Sequence, residues 1–254
     1  MLYLLIASIW LLRFLLGACF FSFLNVVVWR LPRGESLVHG RSHCPACGRV
    51  LTAWELVPCF SFLLLRGKCH GCGAGIPGRD FWVEVLGGAL FMGCAACFGG
   101  EGLRACLAFA VLFLLTAVAL MDWDTMEIPD RLHVLLIFCA ACHGVLYPEI
   151  GIMERLLGCF CVSVPMLVLA LVIPGGFGGG DIKLMFALGL LLGWKGTLLT
   201  AFLGVLSGGA WCGVLLAKGR GRKAQFPFGP FLCLGGGVSL LFSGEILTWY
   251  TAFW

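Results

Sequence analysis

Long apolar runs separated by short polar segments account for most of this 254-residue chain. A helix needs roughly 20 apolar residues to cross the hydrocarbon core of a bilayer, and the pattern indicates about eight such crossings. The runs are continuous rather than alternating in polarity, which excludes a transmembrane β-barrel. We therefore predict an all-α polytopic membrane protein. The predicted crossings lie at residues 2–28, 81–99, 102–121, 132–147, 156–174, 182–194, 196–217 and 229–252.

The composition supports this class of protein. The chain is 61% hydrophobic and only 12% charged, and its mean hydropathy of +1.02 lies far outside the range of soluble domains. The first run, residues 2–28, lacks a basic leader and is longer than the core of a signal peptide. We therefore interpret it as a spanning helix rather than a cleaved signal.

Basic residues are concentrated in residues 29–80 and in the run "KGRGRK" at 218–223. Cytoplasmic loops are enriched in Lys and Arg, so both segments are predicted to be cytoplasmic, and eight crossings then put both termini on the outer face. The loops assigned to the outside carry only Arg104, Arg155 and Lys195. The formal net charge of +4 reflects this topology and attraction to anionic membrane lipid. It gives no support for a nucleic-acid partner.

Two Cys-x-x-Cys pairs lie in segment 29–80. They are Cys44 and Cys47 in "CPACG", and Cys69 and Cys72 in "CHGCG". Four thiolates with this spacing, each pair followed by a glycine, are typical of a structural Zn²⁺ site. The alternatives are disulfides, which a reducing cytoplasm disfavours, or free thiols, which would leave a loop of this size with too little core to fold. We predict a small zinc-knuckle cytoplasmic domain.

Two acidic segments are predicted to lie on one membrane face. These are "MDWDTMEIPD" at 121–130 and the glycine-rich "GGFGGGDIKL" at 175–184. An aspartate at the entrance of a membrane helix is costly and therefore points to function. Two carboxylates brought together share a proton, and such a pair can activate water against a peptide carbonyl. The alternative is a pair of solvated interfacial loops.

Within these segments, Asp122 and Asp181 are the candidate pair. Asp122 directly ends the third apolar run, whereas Asp124 would point away on a continuing helix and Asp130, after Pro129, is a natural N-cap for the fourth helix. Glycines at 178–180 would let a substrate backbone or a partner helix approach Asp181 closely. This convergence of two side chains is the central prediction from the residues.

The motifs together resemble those of the type IV prepilin peptidases, which are bifunctional leader peptidases and N-methyltransferases of pilus and type II secretion systems. The resemblance covers essentially the whole chain in the family's order. It is carried by "SFLNVVVWRLP" at 22–32, the cysteine pairs, "LLLRGKCHGCG" at 63–73, "VE" at 83–84, Asp122 with "IPD" at 128–130, and "GGGDIKL" at 178–184.

The resemblance implies an intramembrane aspartic endopeptidase of the bacterial inner membrane in which Asp122 and Asp181 match the catalytic pair. Such an enzyme cleaves the leaders of prepilins or pseudopilins at the cytoplasmic face and then methylates the new N-terminus with S-adenosylmethionine. The corresponding domains are the first transmembrane helix at 1–28, the four-cysteine zinc-binding domain at 29–80 and the protease bundle at 81–254.

Two other functions compete with this interpretation. The stretch "GFGGG" could be the nucleotide loop of a methyltransferase, but it follows a membrane run instead of the strand that such a loop requires. Alternatively, the aspartates could form a proton or cation relay in a transporter or channel with a zinc-stabilised loop. A relay is expected near the bilayer midplane, whereas both aspartates are predicted at the cytoplasmic boundary.

Overall fold

Helices form most of the chain in a computed structural model that describes residues 1–99, 101–173, 177–219 and 226–252. Within these ranges there are nine α-helices and no strand, only two isolated β-bridges, which confirms the all-α prediction. Most of the basic run at 218–223 and the first two glycines of the stretch at 175–184 lie outside the described residues. The chain forms two compact units, Met1–Phe109 and Ala110–Trp254.

The first unit is built on two antiparallel helices, α1 (Leu2–Arg30) and α3 (Gly78–Cys97). Asn25 near the end of α1 donates a hydrogen bond to the carbonyl of Asp80 at the start of α3, at 3.1 Å. Between them the chain forms the short helix α2 (Phe60–Leu64) and the 3₁₀ turns Leu31–Arg33 and Ala53–Leu56. The cysteine pairs lie in this connecting region.

The remaining helices are α4 (Gly102–Thr125), which begins in the first unit, α5 (Asp130–Leu146), α6 (Ile152–Cys161), α7 (Ser163–Val172), α8 (Gly179–Ala217) and α9 (Gly229–Thr251). In the second unit α8 is central, because α5, α6, α7 and α9 all pack against it. The core of the second unit includes Val118, Met121, Leu184, Leu188 and Leu232, each almost fully buried.

Helix α8 is interrupted at Gly193, where φ is 68° and ψ is 176°. This conformation favours glycine, and it frees carbonyl groups at the end of the first half of the helix. Arg155 of α6 supplies donors for them: Nη1 lies 2.8 Å from the carbonyl oxygen of Leu190 and 3.1 Å from that of Leu191. The assignment of Arg155 to an outer loop was wrong, because α6 begins earlier and buries this side chain.

The predicted count of eight crossings is not confirmed. Among the described residues, six helices are long and apolar enough to span a membrane: Leu2–Arg33, Gly78–Cys97, Gly102–Thr125, Ile152–Val172, Gly179–Ala217 and Gly229–Thr251. Helix α5 has only 17 residues, at the lower limit for a crossing. The sixth and seventh predicted crossings are the two parts of α8 on either side of Gly193.

Candidate active site

The two candidate aspartates are both buried at helix ends of the second unit. Asp122 lies in the last turn of α4 and is 6% exposed, whereas Asp181 lies in the first turn of α8 and is 7% exposed. The backbone N–H of Gly229, the first residue of α9, donates a 2.9 Å hydrogen bond to Oδ2 of Asp122. A free N–H at the start of a helix is a favourable partner for a carboxylate.

The two carboxylates converge beside Gly229. A Cβ atom built on this glycine would lie 2.6 Å from Oδ2 of Asp122 and 3.3 Å from Oδ1 of Asp181, so both side chains reach one point in space. They also line the same open cleft of about 310 Å³, together with residues 126–128 and 178–180. The structure therefore brings together the two aspartate side chains that the sequence singled out, which are 59 positions apart in the chain (181 − 122).

The contribution of α9 was missed by the sequence analysis. Gly229 precedes Pro230 at the start of an apolar run, which by itself is typical of a helix start. Its role depends on α9 packing beside α4 and α8, and only the fold reveals that. The absence of a side chain at Gly229 leaves the space that the two carboxylates occupy.

The other two aspartates of the first acidic segment do not enter the cleft lining. Asp124 is exposed. Asp130 is also exposed, and its Oδ1 pairs with Nζ of Lys183 at 2.6 Å. The interpretation of Asp130 as an N-cap was wrong: Pro129 occupies the cap position without a side-chain hydrogen bond, and Asp130 is the first residue of α5.

The four predicted metal ligands form a cluster in the first unit. The sulfurs of Cys44, Cys47, Cys69 and Cys72 all lie within 4.8 Å of one another, and Cys44 and Cys72 are 3.9 Å apart. A tetrahedral zinc site with Zn–S bonds of about 2.3 Å requires sulfurs about 3.8 Å apart. This cluster could therefore hold a metal ion, and the described cysteines form no disulfide.

The two halves of the cluster have the same backbone structure. In the first, the N–H of Cys44 bonds to the carbonyl of Arg49 at 2.9 Å; in the second, the N–H of Cys69 bonds to that of Ala74 at 2.8 Å. The glycine after each pair has a positive φ, which is 71° at Gly48 and 72° at Gly73. Each knuckle thus turns its backbone around the sulfurs as the spacing predicted.

The thiols of the cluster differ in acidity. The backbone N–H groups of Cys72 and Gly71 lower the pKa of Cys69 to about 6. The N–H of Ala74 favours the thiolate of Cys72, but burial and the neighbouring sulfurs outweigh it and raise the pKa of Cys72 to about 11. A metal ion bound between the sulfurs would offset their mutual repulsion and favour the thiolate forms.

Comparison with known proteins gives two family matches. Residues 15–98 match the bacterial peptidase A24 N-terminal domain, and residues 106–213 match the type IV leader peptidase family. No solved structure matches the chain.

Several similar proteins share the name prepilin leader peptidase/N-methyltransferase. A protein of Burkholderia pseudomallei (strain 1026b) is 34% identical over 89% of this chain and 83% of its own length. One from Bacillus subtilis (strain 168) is 33% identical over 93% and 96%, and one from Aeromonas hydrophila is 31% identical over 94% and 92%. The two family matches and these similarities along nearly the whole chain show that it belongs to the type IV leader peptidase family.

Proposed function

We propose that Asp122 and Asp181 form the catalytic pair with which this member of the leader peptidase family cleaves prepilin or pseudopilin leaders. The observation that carries the proposal is the convergence of both carboxylates on one point beside Gly229, at the wall of a cleft. Two buried carboxylates this close disfavour double ionisation and share one proton. That state supplies a base and an acid in the same site.

The chemistry follows from these two protonation states. The ionised carboxylate takes a proton from a water molecule as its oxygen attacks the scissile carbonyl carbon, and the protonated carboxyl gives its proton to the carbonyl oxygen. When the tetrahedral intermediate collapses, the C–N bond breaks and the leaving nitrogen takes the proton that the first carboxylate had accepted from water, while the second carboxylate recovers a proton from a hydroxyl of the intermediate. The glycines at 178–180 line the cleft beside Asp181, and their small size lets an extended substrate backbone approach it.

The second reaction of the family is N-methylation of the new N-terminus. S-adenosylmethionine would supply an electrophilic methyl group on its sulfonium sulfur: the S–C bond would break as the amine forms the new N–C bond, S-adenosylhomocysteine would leave, and the methylated amine would lose a proton. In this proposal the aspartate pair acts in peptide hydrolysis and takes no part in methyl transfer. We assign no residues to the methyl-donor site.

For the cysteine cluster we propose structural Zn²⁺. The four sulfurs of Cys44, Cys47, Cys69 and Cys72 would fill a tetrahedral coordination sphere and leave no open position for substrate. In this proposal residues 29–80 are a cytoplasmic zinc-binding domain, residues 1–28 the first membrane helix and residues 81–254 the protease bundle. The chain would lie in the bacterial inner membrane with both termini on the outer face. A transporter function is not favoured by membership of a peptidase family.

Cleavage by the purified full-length protein in detergent tests the catalytic assignment. A prepilin is incubated with a labelled methyl donor, and mass spectrometry measures loss of the leader and gain of a methyl group. We expect Asp122→Asn and Asp181→Asn each to lower cleavage by about 10²–10⁴-fold, while Asp124→Asn, the matched control on the same helix, cleaves normally. Cleavage at the wild-type rate by either variant of the pair would refute the assignment.

A further inference from the structure

Two polar contacts flank Asp181 and join the first turn of α8 to the first turn of α5. Nε2 of His133 lies 3.0 Å from the carbonyl oxygen of Gly180, the residue before Asp181. Two residues after Asp181, Lys183 pairs with Asp130 at 2.6 Å. Helix α5 thus contacts α8 on both sides of the candidate catalytic residue, through the backbone at Gly180 and through the side chain of Lys183.

The two aspartates are held in different ways. Asp122 receives a hydrogen bond from α9 through Gly229. Asp181 has an Oδ1 atom that is buried without a hydrogen-bond partner among the described residues, and its Oδ2 atom faces Gly178 in its own turn. These polar contacts of the Asp181 carboxylate lie within its own turn. The position of Asp181 in the cleft therefore depends on the placement of the first turn of α8.

The His133 contact is the stronger of the two anchors. The imidazole is only 4% exposed, and a carbonyl oxygen can only accept, so the ring must donate its Nε2–H to Gly180. Loss of this donor would leave the partly buried carbonyl oxygen of Gly180 without this hydrogen bond. The Lys183 and Asp130 side chains are both exposed, and an ion pair of this kind contributes little.

We propose that His133 is a positioning residue for Asp181, acting through the Nε2–H bond to the Gly180 carbonyl. The inference rests on the proposed function, because it concerns the placement of one member of the aspartate pair. It assigns His133 no contact with substrate and no proton transfer. The positioning role requires only a hydrogen-bond donor at the location of Nε2.

Replacement by residues that keep or remove this donor tests the proposal. His133→Gln can place an amide N–H near the position of Nε2 and should cleave prepilin within about twofold of the wild type. His133→Leu has a similar size without a donor, and its kcat for cleavage should fall at least about tenfold with little change in KM, because a small misplacement of a reacting group is costly. Lys183→Met should lower kcat only about twofold.

N-methylation of a pilin whose leader has already been removed separates positioning from general damage. Under the proposed function this reaction does not use the aspartate pair, so its rate should be unchanged in His133→Leu. If methylation and cleavage fall in parallel, the proposal is wrong. It is also wrong if His133→Leu cleaves normally, or if His133→Gln is as slow as His133→Leu.

A second variant allows the same test if His133→Leu does not fold. His133→Asn retains an amide but is one bond too short to reach Gly180, and it should resemble the leucine variant. The Asp122→Asn and Asp181→Asn proteins are assayed in parallel. They distinguish a failure of the positioning role of His133 from a failure of the proposed function. If both are inactive while His133→Leu and His133→Asn are normal, only the positioning role fails; if both aspartate variants cleave normally, the proposed function itself fails.

Discussion

The cysteine cluster and the aspartate cleft illustrate two ways of building a site. The cluster consists of two short knuckles with the same hydrogen bonds and the same glycine turn, so its geometry is encoded mainly within a few residues of each ligand pair. The cleft requires the ends of α4, α8 and α9 to meet. The hydrogen bond that Asp122 accepts there comes from Gly229, which is 107 positions away in the chain. Local spacing therefore reveals the first kind of site, whereas helix packing determines the second.

Removing one metal ligand should have the largest of the predicted effects, and this effect should be confined to the cysteine cluster. Cys44→Ser breaks the tetrahedral set, and a structural zinc site contributes about 10–16 kcal/mol of binding free energy to folding. We expect elemental analysis to show loss of zinc and limited proteolysis to show an opened 36–76 segment, while the helices remain folded. Cys106→Ser, at an exposed cysteine outside the cluster, is the matched control. Wild-type protein without zinc would contradict the assignment of the metal.

A single methyl group should disrupt the long-range site without affecting the cluster. In Gly229→Ala the new Cβ would lie 2.6 Å from Oδ2 of Asp122, closer than real Cβ contacts allow, so the carboxylate or α9 must shift. We expect leader cleavage to fall by about 10²-fold, as for other small misplacements of reacting groups, with zinc content unchanged. Gly244→Ala on the same helix, where a Cβ would meet nothing within 4 Å, should cleave normally. Normal cleavage by Gly229→Ala would show that the carboxylates are not held as described.

These differences explain what the sequence could predict. The apolar runs indicated the helices, because burial in lipid leaves a continuous pattern, and the cysteine spacing indicated a cluster. The juxtaposition of Asp122 and Asp181 was predicted from topology, and their catalytic role stays a prediction. Gly229 and Arg155 were missed or misplaced, since neither has a local pattern that distinguishes it from an ordinary helix start or a loop cation. Their environments come from neighbouring helices distant in sequence.

Arg155 allows a smaller test of the long-range packing. Arg155→Leu would leave the carbonyls of Leu190 and Leu191 without these donors at the break in α8. Buried polar groups left unsatisfied cost about 1–3 kcal/mol each, so thermal unfolding of the purified protein should occur at a lower temperature. Lys195→Met, which removes a cation lying 5.6 Å from the ring of Trp194, should shift unfolding less. An unchanged unfolding temperature for Arg155→Leu would show that the break does not need this cap.

The smallest predicted effect concerns an acid that supports the local site. Glu55 accepts hydrogen bonds from the hydroxyl of Thr52 at 2.6 Å and from its backbone N–H at 2.8 Å, and it also pairs with Arg49. The hydroxyl and backbone bonds of Thr52, aided by Arg49, lower the pKa of Glu55 from its ordinary 4.5 to about 2.

Because folding favours the ionised form of Glu55, its stabilising contribution is fully present above pH 4.5 and is lost as the pH falls towards 2. We therefore expect Glu55→Gln to lower the protease resistance of the 36–76 segment at neutral pH. The difference from the wild type should narrow as the pH falls from about 4.5 towards about 2. Glu35→Gln, at an exposed position, controls for the loss of one negative charge and should show no such difference. A gap between Glu55→Gln and the wild type that stayed constant with pH would mean that the carboxylate stabilises the knuckles through its shape and not through its charge.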